Sequence, residues 1–98
     1  MLIHVVLFRF EDLDAAKEAG ERLRAMGGRI PGLLQVEAGV DITRSGRSYE
    51  LALITRHPDQ AALDAYQVHP VHQEVVAYIK AHASGSVAVD FLGAAASV

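Results

Sequence analysis

The sequence predicts an α+β fold of the ferredoxin-like kind, a four-stranded antiparallel sheet with helices on one face. Three observations predict it. Apolar stretches and amphipathic stretches follow in the order strand, helix, strand, strand, helix pair, strand. The second and third strands are joined by a short turn that suits a hairpin. The first strand is apolar on both faces and so needs cover on both sides.

Leu2 to Phe10 forms the first strand. Leu2, His4, Val6, Phe8 and Phe10 share one face, and Ile3, Val5, Leu7 and Arg9 share the other. "EDLD" then offers Asp12 or Asp14 as a helix cap. Ala16, Ala19, Leu23 and Met26 follow at helical spacing, with Lys17, Glu21 and Arg24 on other faces. Gly27-Gly28 is the expected stop.

Leu34, Val36, Ala38 and Val40 alternate with Leu33, Gln35, Glu37 and Gly39 as a second strand. "RSGRS" is a turn with Gly46 at its tip. Tyr49, Leu51, Leu53 and Thr55 alternate with Glu50, Ala52 and Ile54 as a third strand, so a hairpin spans 33–55.

"HPDQAALDAYQ" starts a short helix, with Pro58 placed in its first turn. "VHPVH" breaks that helix, because a residue before proline avoids helical backbone. A further helix runs from Pro70 to about Ala83, and Ser84-Gly85 ends it. Val71, Val75 and Tyr78 form one stripe of it; His72, Val76, Ile79 and Ala83 form the adjoining one. "SVAVDFL" is the last strand. Residues 93–98 are a small-residue tail expected to be mobile.

A chain of 98 residues suits one domain over 1–98, with its core in 2–92. Nothing else in this length can cover the second sheet face. Two sheets are therefore expected to pack face to face in a symmetric homodimer, a dimeric α/β barrel.

Composition narrows the function classes. Net charge is −3 and no basic run exists, so nucleic acid is not an expected partner. The absence of cysteine excludes disulfides, zinc–thiolate sites and iron–sulfur clusters. No apolar run is long enough to span a bilayer, so no membrane is expected, and the opening reads as a strand and not a signal peptide. A cytoplasmic location is the default. No glycine-rich phosphate loop and no nucleophile-elbow serine is present.

The chemistry concentrates in "YQVHPVHQE", which places Tyr66, His69 and His72 within seven residues. With "HVVLFRF" at the start, "IPG" before the second strand, "YELALIT" in the third and a final "VAVDF", this pattern resembles the stress-responsive A/B barrel (Dabb) family over residues 2–92. That resemblance implies a dimeric α+β barrel of ferredoxin-like subunits. Most members of the family have no assigned reaction. A plant polyketide cyclase of the family closes a linear polyketide by an intramolecular aldol step and keeps the carboxylate. The resemblance implies that Tyr66 and His72 match the catalytic tyrosine and histidine. By the same resemblance His4 matches a pocket histidine, and Asp90 an acidic residue near the catalytic histidine. The first helix departs from that enzyme, with Ala15, Ala16, Ala19, Gly20 and Leu23 and no aromatic residue, so the substrate is not carried over.

The residues support a mechanism of this kind. His72 near a helix N-terminus feels the positive dipole end, which disfavours its cation and keeps it neutral as a base. Asp90 is expected to hold its other ring nitrogen. Tyr66 is placed to donate its phenolic proton to a substrate carbonyl as an enolate forms. Val6, Phe8, Tyr49 and Leu53 are the expected supporting wall, with His4, Asp90 and His69. A β-keto or aromatic acid is the expected small-molecule ligand, and no cofactor is expected. The plainer reading makes Tyr66 a packed residue, His72 a core histidine bonded to Asp90, and His69 a helix cap. The protein is then a non-catalytic ligand-binding or stress-associated barrel. Cofactor-free oxygen chemistry or haem binding is a further reading by fold analogy.

A metal site is not expected. His69 and His72 are three apart, but Pro70 breaks the helical geometry that pairs such residues. His57, in a turn before Pro58, and His82, near a helix end, are read as solvated.

Overall fold

The computed structural model describes residues 1–93. Its elements are β1 (Leu2–Phe10), α1 (Leu13–Arg24), β2 (Gln35–Val40), β3 (Leu51–His57), α2 (Gln60–Val68), α3 (Pro70–His82) and β4 (Ala83–Leu92). The strands form one antiparallel sheet in the order β2-β3-β1-β4. This is the ferredoxin-like α+β arrangement. The expected hairpin is the β2–β3 pair, with Val40 opposite Leu51 and Gln35 opposite Arg56.

Local chemistry sets the boundaries. Asp12 caps α1 by accepting from the Asp14 N–H at 3.0 Å. Helix α1 ends at Ala25, two residues before the glycine pair, and Gly28 takes φ 78° just beyond it. Asp59 caps α2 by accepting from the Ala62 N–H at 2.9 Å. Pro58 therefore precedes the cap and does not sit in the first helical turn. His82 is the last residue of α3, and β4 begins at once with Ala83. Ser84 and Gly85, expected to end the helix, are strand residues because Ala83 already pairs with Phe10 and Gly85 with Arg9. The small-residue tail lies, from residue 94 on, outside the described residues.

The helices bury one sheet face. Leu2, Val6, Phe8 and Phe10 of β1 and Leu51 and Leu53 of β3 pack against Ala16, Ala19 and Leu23 of α1 and Val75 and Ile79 of α3. Burying one such aliphatic or aromatic side chain is worth about 1.5–3 kcal/mol. The stripe read for α1 is buried throughout, including Met26 just past its end.

Among the described residues nothing covers the opposite face. Residues directly opposite one another in a ladder share a face. Ile3, Val5 and Leu7 therefore stand beside Phe91, Val89 and Val87 on one side and Arg56, Ile54 and Ala52 on the other. Val89 is 62% exposed and Phe91 46%. The second cover that β1 demands is not supplied by the described residues.

Candidate functional site

The break between α2 and α3 organises the site. His69 is extended (φ −67°, ψ 137°), as expected for a residue before proline. It ends α2 with its N–H on the Tyr66 carbonyl at 3.2 Å and caps α3 by accepting from the Val71 N–H on Nδ1 at 3.1 Å. Pro70 opens α3 where no N–H is needed. This break folds the last turn of α2 against the first turn of α3. The Tyr66 and His72 rings meet with centroids 4.3 Å apart.

His72 is 9% exposed. Its Nδ1–H donates to the Gln67 carbonyl at 3.1 Å, which leaves Nε2 as the acceptor nitrogen of the neutral ring. Burial lowers its pKa below the ordinary histidine value, and nearby His4 adds to that, while the Gln67 carbonyl opposes it. Burial is thus the first cause of that lowering, which favours the neutral ring.

Tyr66 is fully buried, and among the described residues its hydroxyl has no hydrogen-bond partner. Burial raises its pKa far above the ordinary phenol value. Its ring is ringed by imidazoles: His72 at 4.3 Å, His57 at 5.0 Å and His4 at 6.2 Å between centroids.

Asp90 does not hold His72. The β1–β4 register sets His4 directly opposite Asp90, so the two share a face. His4 Nδ1 is hydrogen-bonded to Asp90 Oδ1. The expected partner of His72 is therefore the partner of His4, and a backbone carbonyl takes its place on His72.

His57 is not solvated. It is 0% exposed, donates from Nδ1–H to the Gly32 carbonyl at 3.0 Å and accepts the Thr55 hydroxyl on Nε2 at 2.9 Å. Burial lowers its pKa most, with His4 adding and the Gly32 carbonyl and Asp90 opposing. The missed signal is alternation: Leu51, Leu53, Thr55 and His57 continue one row of β3, all buried. His82 is exposed as expected, stacked on Tyr78 with centroids 4.2 Å apart.

A cavity of about 180 Å³ lies between the sheet and the helices. His4, Val6 and Phe8 of β1 and Leu53 of β3 form its floor, as expected. Leu23 of α1, Gln67 of α2, and His72, Val76 and Ile79 of α3 complete the wall. Four expected members stand elsewhere. Asp90, bonded to His4, lines a separate groove with Pro58 and Phe91. Tyr66 packs behind His72 and is not in the wall. His69 is occupied as a cap. Tyr49 precedes β3 and faces the groove that carries Leu7 and Ala52, with the Arg9 guanidinium 4.3 Å from its ring. Gln67 was not foreseen as a wall residue; nothing in its helix stripe marks it. Among the described residues no group of three or more His, Cys, Asp or Glu side chains is placed to hold a metal ion. None of their helices is long and apolar enough to cross a membrane.

Chemically, the polar end of this cavity offers an acceptor nitrogen with its tautomer fixed and a second imidazole tied to a carboxylate, with a buried phenol packed behind the first.

Comparison with known proteins places this geometry. Residues 2–92 match the stress responsive A/B barrel domain. An uncharacterized protein of Streptomyces coelicolor is 37% identical over 82 residues, covering 79% of this chain and 84% of the relative. The crystal structure of a dimeric ferredoxin-like protein of unknown function from Thermobifida fusca superposes with a TM-score of 0.81 at 28% identity, over 92% of this chain and 88% of that one. The crystal structure of an antibiotic biosynthesis monooxygenase superposes with a TM-score of 0.77 at 20% identity, over 97% of this chain and 100% of that one. At that identity the last likeness is one of fold alone.

Proposed function

This chain belongs to the stress responsive A/B barrel domain family, and from that premise we propose a homodimer in which each subunit takes a small ligand into the cavity under its helices and acts on it by acid–base chemistry. The dimer reading is supported by the uncovered apolar row of Ile3, Val5, Leu7, Ile54, Val87, Val89 and Phe91. A relative of similar fold is described as dimeric, in keeping with it. Facing sheets bury such rows.

The observation that carries the catalytic reading is the state of His72. A base must be neutral, must hold a lone pair on a known nitrogen and must reach the ligand. The Gln67 carbonyl fixes the proton on Nδ1, burial keeps the ring neutral, and the ring lines the cavity. His72 Nε2 then removes the proton from carbon between two carbonyls of a β-keto or aromatic-forming substrate. Tyr66, packed behind His72 and outside the wall, supplies the proton for the developing enolate oxygen across one water and not by direct contact. His4, tied to Asp90, supports the polar end. The protein works in the cytoplasm on this reading.

A second reading has its own observation. The Tyr66 hydroxyl is sealed from the cavity wall, which fits a barrel that binds a ligand without turning it over. Deuterium exchange into the central carbon of a β-keto ester separates the two. The catalytic reading expects exchange above background that His72→Ala abolishes. Saturable binding with exchange only at background leaves the carrier.

A further inference from the structure

We infer that Gln67 is a specificity-determining residue, which selects ligands that bring a hydroxyl or carbonyl oxygen to its side-chain amide beside His72. The inference rests on the cavity reading above. Gln67 does two separate jobs in one residue. Its backbone carbonyl accepts from His72 Nδ1–H at 3.1 Å and also from the Gln73 side-chain amide at 2.7 Å. Its own side chain is half-buried in the cavity wall beside His72. Among the described residues that side-chain amide has no hydrogen-bond partner.

Apart from the imidazoles of His4 and His72, the wall gives the amide nothing to bond. Val6, Phe8, Leu23, Leu53, Val76 and Ile79 are all apolar. An amide carries two donors and two acceptor lone pairs, and covering it with an apolar ligand leaves them unmet. A ligand that fills the cavity therefore costs less if it brings a hydroxyl or carbonyl oxygen to Gln67. A site built to hydrogen-bond a ligand hydroxyl rejects the analogue that lacks it more strongly than an apolar site rejects an extra hydroxyl. The ligand class this selects is a small, mostly apolar molecule, such as an aromatic ring or short acyl chain, with two separated oxygens at one end.

Resorcinol and 3-methylphenol form a matched pair, since they differ only by a hydroxyl in place of a methyl group of similar size. Their dissociation constants are measured by ligand-observed NMR with the wild-type protein, Gln67→Leu and Gln67→Met. Both variants keep the backbone carbonyl, so the His72 ring titration serves as the check that the site is intact. The wild type prefers resorcinol, and both substitutions cut that preference about tenfold, the scale of one buried hydrogen bond. A preference that survives both substitutions while both probes still bind overturns the role of Gln67 and leaves the cavity standing. Binding of neither probe to the wild type overturns the role together with the cavity reading it rests on.

Discussion

The Tyr66 and His72 rings lie 4.3 Å apart, centroid to centroid, although they belong to different helices. One extended residue, His69, makes this possible by ending α2 and starting α3. The contact is thus a product of the His69-Pro70 step and not of helical spacing.

Tyr66→Phe is expected to separate stability from function. The substitution deletes a buried hydroxyl with no partner, and an unmet buried polar group costs about 1–3 kcal/mol. Urea denaturation should show the variant as stable as the wild type or more so, while deuterium exchange into a β-keto ester falls. A marked loss of stability would contradict the absence of a partner for that hydroxyl.

Stability should decline as pH falls below the ordinary histidine value of 6.5. His57 and His72 both have lowered pKa values in the fold. Above 6.5 they are neutral in the folded and unfolded chain alike, and their contribution is fully present. Below it the unfolded chain binds protons first, so stability drops until the lowered folded values are passed. Glu50, held below its usual range by the Phe10 N–H and then by Arg44, titrates lower and leaves this window to the histidines. Urea midpoints at pH 7.5 and pH 5.5 read the effect; a higher midpoint at the lower pH would run against it.

Asp90→Asn tests which histidine Asp90 serves. Its charge raises the pKa of His57 slightly but has no part in the lowering of His72. NMR titration of the variant should find His57 lowered further and His72 unmoved. A shift in His72 larger than that in His57 would restore the Asp90–His72 pairing that the sequence suggests.

Gly32→Ala should destabilise the fold by about 1–2 kcal/mol, the cost of a left-handed backbone for a residue with a Cβ. Gly32 has φ 81°, and a Cβ there would lie 3.0 Å from the Ala62 Cβ. Its carbonyl also holds His57. Gly28→Ala, with φ 78° but open space around it, should cost less by the same urea assay.

The order of elements along the chain, the hairpin and the buried stripe of α1 were legible because period and turn chemistry are local. The pairing of Asp90 was not, because it depends on register: His4 and Asp90 are 86 residues apart and meet only through the β1–β4 ladder. His57 was misread because Pro58 signals a turn, whereas the alternation from Leu51 keeps it on the buried row. Tyr49 was misread for the opposite reason, since that alternation was extended past the true start of β3 at Leu51. Gln67 carries no pattern at all; only the closing of α3 over α2 brings it to the cavity.

Native mass spectrometry of the purified protein with a panel of phenolic and β-keto acids tests the central claim most directly. The account predicts a dimer that takes up one small molecule per subunit and loses it in His72→Ala. A monomer, or a dimer that takes up none of the panel, would contradict it.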